Sequence, residues 1–130
     1  MAYLSDLESP AADGLPNLRA ELALQLALAE RQIASDPDGA SLILDGAIWE
    51  IAAACYLARH DVWPSRQHVL SRLDADDPAF ARRVRLALRA PDVRARLVHA
   101  NQLYALLIEF ESAGEQPFSA LEAANSRSWE

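Results

Sequence analysis

Two carboxylates, Asp45 and Glu50, stand inside the most apolar stretch of the chain, ASLILDGAIWEIAAACYLARHDVWP over residues 40–64. Acids in such surroundings need partners. On a helix, five residues turn them about 140° apart around the axis, so they share no acid/base site unless another element supplies a third group. Each therefore reads either as an acid paired by Arg or as a polar contact to a ligand or partner domain. The three histidines, His60, His68 and His99, fall in different segments and lack the i, i+4 or Cys-paired spacing of a metal site, so no metal is expected. Cys55 lies in the apolar stretch, where a thiol stays protonated and inert, and nucleophilic catalysis finds no support. Four glycines supply no phosphate-cradling loop, and no cofactor is expected.

The remaining chemistry is cationic. Residues 82–96 hold six Arg and a single acid, Asp92. Guanidinium groups suit bidentate contacts to carboxylate or phosphate, which makes Arg82, Arg83, Arg85 and Arg89 candidate anion-binding residues. The competing reading is a solvated face that neutralises the protein's own acids. No aromatic residue is interleaved between Arg82 and Arg96 as base stacking requires, so nucleic acid is not an expected partner. The chain as a whole is acidic, with 19 Asp plus Glu against 12 Arg, no Lys and a net charge of −7. That balance argues against unselective binding to nucleic acid or anionic lipid. The two signs are separated along the chain, since residues 1–50 hold nine acids and two Arg.

These residues must be positioned by helices, because no segment alternates with period two for long enough to argue a strand. The 130 residues suit one domain with a real core. Residues 1–16 read as a leader or linker, 17–113 as a helical bundle, and 114–130 as a C-terminal turn and tail. Asn17 is expected to cap a first helix over 18–35, with Leu18, Leu22, Leu26, Ala29 and Ile33 as its buried stripe. The turn Asp36-Pro37-Asp38-Gly39 separates it from a second helix over about 40–60, apolar around most of its circumference and hence central. Small residues Gly46, Ala47, Ala53 and Ala54 are expected to let neighbours approach along one side. Arg59, His60 and Asp61 suit an exposed last turn.

A short third helix is predicted over 65–73, with Val69, Leu70 and Leu73 available for burial. A fourth over 78–89 starts from Pro78 after three aspartates and presents Phe80, Val84, Leu86 and Leu88. A fifth over 92–113 carries Leu97, Leu103, Tyr104, Leu107, Ile108 and Phe110. One more short turn is expected at Ser119 to Glu122, followed by a tail docked through Trp129 or exposed. The fold class is all-α, an up-and-down bundle of four to five helices. A lone cysteine, no apolar block over residues 1–18, and an apolar run short for a membrane span and broken by two carboxylates together predict a cytoplasmic protein without a membrane partner.

The segment CYLARHDVWPSRQHVLSRL, following the central apolar helix, resembles the HEPN-like helical domain that accompanies nucleotidyltransferases, often called the substrate-binding domain. In that family a long apolar helix ends in a polar link, and an aromatic residue, Pro and a basic residue open the next helix; Trp63, Pro64, Arg66 and His68 occupy that pattern. The likeness covers about residues 18–111. It implies a non-catalytic helical companion, in the same chain as a nucleotidyltransferase domain or in another, contributing partner or substrate contacts through Asp45, Glu50, Trp63, Arg66 and His68. A second branch of that superfamily contains ribonuclease toxins with an Arg, four to six residues, and a His. Arg94 and His99 satisfy that loose spacing and would be the catalytic pair, although Ala95 and Asn101 depart from the usual pattern. A dimerising structural bundle is a third expectation.

Overall fold

The computed structural model describes residues 14–113, and these form five helices with no strand among them. They are α1 (Leu15–Gln32), α2 (Pro37–His60), α3 (Val69–Asp76), α4 (Pro78–Leu88) and α5 (Val93–Ala113). The architecture is an all-α bundle around α2, which packs against each of the other four helices. The turn read at 119–122 and the tail with Trp129 lie outside the described residues, as do the first thirteen residues of the leader.

Apolar content explains the central place of α2. Leu44, Ile48, Ile51 and Leu57 are almost wholly covered, as are the seven-residue run from Ile51 to Leu57 and the earlier Ala47. Each covered Leu or Ile contributes about 1.5–3 kcal/mol relative to exposure. By length and composition alone this helix passes for a membrane span, as the core helix of a bundle also does. Most of it is nevertheless covered by the other helices of the bundle. Its start also lies earlier than the turn residues imply. Pro37 occupies the first turn, where its missing N–H is no loss, and Asp36 caps the helix by accepting from the Gly39 N–H at 3.0 Å. At the other end Asp61 takes a left-handed conformation (φ 57°, ψ 33°) and donates its N–H to the Leu57 carbonyl at 2.8 Å.

Several expected details are corrected. Helix α1 begins at Leu15, which is buried, so Asn17 lies inside the helix rather than capping it. Gly14 holds the cap position without a side-chain bond. Residues 65–68 form a turn, not the first half of the third helix. Gly46 is no point of close approach, because a β-carbon added there meets no atom within 4 Å. Leu86, Leu88 and Ile108, expected to be apolar contacts, are exposed, while Ala81 and Ala87 take the inner positions beside Phe80 and Val84.

The polar end of α2 is the largest correction. Arg59 does not project into water; its guanidinium lies 2.9 Å from Asp77 and 5.2 Å above the Phe110 ring. His60 Nε2 reaches the other Asp77 oxygen at 3.1 Å. Asp77 is the only buried charged residue of the described chain, at 5% exposure. It stands at the joint between α3 and α4, donating its N–H to Leu73 and accepting from the Ala81 N–H. Burial lowers the Arg59 pKa, and the carboxylate opposes that shift. One step away, the Tyr56 hydroxyl donates to Asp76 at 2.6 Å, a bond that raises the tyrosine pKa. This cluster fixes α4 on the bundle, and α4 borders both concave sites described next.

Candidate functional site

Two concavities flank α4, and each gathers a different set of the candidate residues. The first is an apolar notch of about 220 Å³ between α2, the 65–68 turn, α3 and α4. Ile48, Ala52, Val69, Leu70, Val84 and Leu88 provide its surface, with Asp45, Arg66 and Gln67 as polar groups. Trp49 lines it and organises its mouth. The Trp63 ring meets Trp49 edge-on at 5.7 Å and 80°, and the Arg66 guanidinium stands 5.3 Å from the Trp49 ring centre. These contacts follow from the local sequence. Asp61 turns the chain out of α2, and buried Pro64 stiffens its return, so Trp63 and Arg66 fall back on the helix they have just left.

One lining residue carries a polar atom without a partner: Trp49 Nε1 is shut off from solvent and meets no hydrogen-bond acceptor among the described residues, an arrangement that costs about 1–3 kcal/mol. Asp45, by contrast, is paired: Arg96 donates to its carboxylate at 3.0 Å and to the Ser41 hydroxyl at 2.8 Å. Arg96 also reaches the Ala90 carbonyl at 3.4 Å. The paired-acid alternative therefore describes Asp45. Glu50 lies apart from the notch. Burial raises its pKa and Glu21 adds to that rise, while Gln25 and Arg66 pull it down. The two carboxylates thus have different neighbours, as five helical residues dictate. His68 is also absent from the lining; its Nδ1 shares a 2.7 Å hydrogen bond with the Ser65 hydroxyl and stabilises the turn.

The second concavity is a basic groove of about 620 Å³ between α4 and α5. All four candidate anion-binding residues line it, Arg82, Arg83, Arg85 and Arg89, and His99 and Gln102 face them from α5. Spacings of three and four residues put Arg82, Arg85 and Arg89 on one face of α4. Arg85 is oriented by Asp74, to which it donates twice, at 2.7 and 3.0 Å. Those bonds hold the Asp74 pKa down. Arg82, Arg83 and Arg89 form no ion pair among the described residues. Arg94 is exposed and is not part of the groove, and no hydrogen bond or ion pair joins it to His99. In the regular helix α5 the two side chains leave the axis about 140° apart.

Trp49, Gln67 and Gln102 are site residues that sequence reasoning does not single out. For Trp49 the available signal was an indole in a helix otherwise built of aliphatic and small side chains. Cys55 is buried at 1% exposure, and burial raises its pKa well above the ordinary value, so it offers no nucleophile. Among the described residues no three His, Cys, Asp or Glu side chains are grouped to hold a metal ion. Compared with known proteins, the chain matches no family model, no curated protein and no solved structure.

Proposed function

We propose that this chain is a non-catalytic helical companion of a nucleotidyltransferase, binding the catalytic partner or helping it hold substrate. The resemblance over residues 18–111 motivates the reading, and one observation carries it: Trp63 and Arg66 both stand against Trp49, which lines an apolar notch. A partner segment that inserts an aliphatic side chain and presents a carbonyl or carboxylate to Arg66 would cover the apolar surface and engage the cation at its mouth. Aromatic and Arg side chains of this kind dominate binding energy where they become desolvated.

The test begins with the reading frames that flank this coding sequence; a nucleotidyltransferase found there is titrated with the full chain, read by calorimetry and by transfer activity. Binding is expected, and Arg66→Ala, at an exposed side chain, should weaken it about tenfold, the order of an interface anchor. Unchanged circular dichroism keeps that loss separate from unfolding. Absence of binding together with unchanged transfer activity would overturn the reading. The ribonuclease reading has less in its favour, because His99 borders the groove without Arg94.

A further inference from the structure

We infer that the groove between α4 and α5 is a binding site for an extended polyphosphate chain carried by a small molecule. The inference is independent of the partner reading, since it rests on the opposite side of α4. Four guanidinium groups and an imidazole border one cavity of about 620 Å³, a volume typical of small-ligand sites. Arg82 and Arg89 are separated by seven helical residues, which is about 10 Å along the axis. That span exceeds what one phosphate can bridge and suits a row of linked phosphates.

The charge arrangement has a cost that an anion would remove. Arg82 and Arg85 are three residues apart and Arg85 and Arg89 four, and like charges at these spacings repel on a helix. Asp74 answers only Arg85, and no carboxylate lines the groove. In a chain of net charge −7, this concentration of positive charge is local rather than a general attraction for anions. Asp74 also leaves Arg85 pre-oriented, so less side-chain freedom is lost when its remaining N–H groups meet phosphate oxygens.

The rest of the lining decides the class of ligand. Ala79, Leu86 and Leu103 complete the groove; no Phe, Tyr or Trp lines it, so the His99 imidazole is the one ring on which a base could stack. Four guanidinium groups against that single small ring put recognition mainly on the phosphates, with Gln102 as a neutral amide able both to donate and to accept. A nucleoside triphosphate and an inorganic polyphosphate offer the same chemistry to such a site.

Calorimetric titration of the full chain with inorganic tripolyphosphate, with ATP and with orthophosphate, at matched ionic strength, tests this. Tripolyphosphate is expected to bind at least tenfold more tightly than orthophosphate and to raise the melting temperature. An ATP affinity within about threefold of tripolyphosphate assigns the site to the phosphate chain alone, whereas tighter ATP binding by more than tenfold would overturn a base-indifferent groove. The double variant R82Q/R89Q should lose at least tenfold in tripolyphosphate affinity, and R94Q, outside the groove, should lose less than twofold. Equal binding of orthophosphate and tripolyphosphate, or equal losses in R82Q/R89Q and R94Q, would reduce the effect to diffuse charge and sink the proposal. So would poly-glutamate binding as tightly as tripolyphosphate, which would assign the groove to an acidic protein surface. Because both variants alter exposed side chains, each is expected to retain the wild-type fold, checked by its helical circular dichroism.

Discussion

The notch is lined mainly by aliphatic side chains and keeps one acid, one Arg and one amide at its margin; the groove across α4 holds four Arg, a His and a Gln around Ala79, Leu86 and Leu103. In the notch the charged groups are already answered, Asp45 by Arg96 and Arg66 by the Trp49 ring; what lacks a partner among the described residues is neutral, the buried Trp49 indole N–H. In the groove the reverse holds, with Arg82, Arg83 and Arg89 outside any ion pair of the described residues. On the proposals above, a partner entering the notch would be selected mainly by shape, and a ligand entering the groove by charge. A single helix of eleven residues keeps these two selections apart, with Val84 and Leu88 on one side and Arg82, Arg85 and Arg89 on the other.

If α4 is what both sites share, loosening it should damage both. Asp77→Ala removes the carboxylate that Arg59 and His60 hold at the head of α4 and is expected to cost about 3–5 kcal/mol, as broken buried ion pairs do. Chemical denaturation should show that loss, and at temperatures where the variant is folded both partner and tripolyphosphate binding should fall. Loss at one site alone would mean that the two concavities do not depend on a common support. Gly46→Ala sharpens the same comparison from the other direction. A β-carbon there meets nothing within 4 Å, so the variant should gain about 1 kcal/mol of helix stability. Its binding at both sites should stay within twofold of wild type.

The smallest expected effect concerns Glu50, which belongs to neither site. Its folded pKa is raised by burial, so the folded protein holds that proton more tightly than the unfolded chain. Stability contributed by this group is present at low pH and is lost as pH rises from the ordinary carboxylate range through the raised folded value. Glu50→Gln should accordingly be more stable than wild type at pH 7, by less than about 0.5 kcal/mol given partial solvent screening. The difference should vanish below pH 4. Melting curves at the two pH values check the sign.

How much of this was legible in the sequence differs between the helices and the contacts that join them. The stripe Leu22, Leu26, Ala29 and Ile33 and the enclosed α2 follow from periodicity alone, because each depends on neighbours three and four residues away. That Arg82, Arg85 and Arg89 share one face could also be read from their spacing, and all three line the groove. The Arg59–Asp77–His60 cluster could not: it joins residues 17 and 18 positions apart, and a polar helix end before a chain break reads as solvent-exposed. Trp49 was hidden for the opposite reason, since every residue in an apolar run looks like core. Leu86 and Leu88 misled because hydrophobicity marks a preference for burial, while Ala81 and Ala87 fit the closer contacts that α4 makes inside the bundle.

The single thiol has a practical consequence. Cys55 lies in the last third of α2 at 1% exposure, out of reach of an alkylating reagent while the bundle is intact. Each modification event then records one excursion in which that rod is uncovered, so the labelling rate in native buffer counts how often the molecule comes apart. Wild type and variants can be ranked on that clock without adding denaturant or a dye.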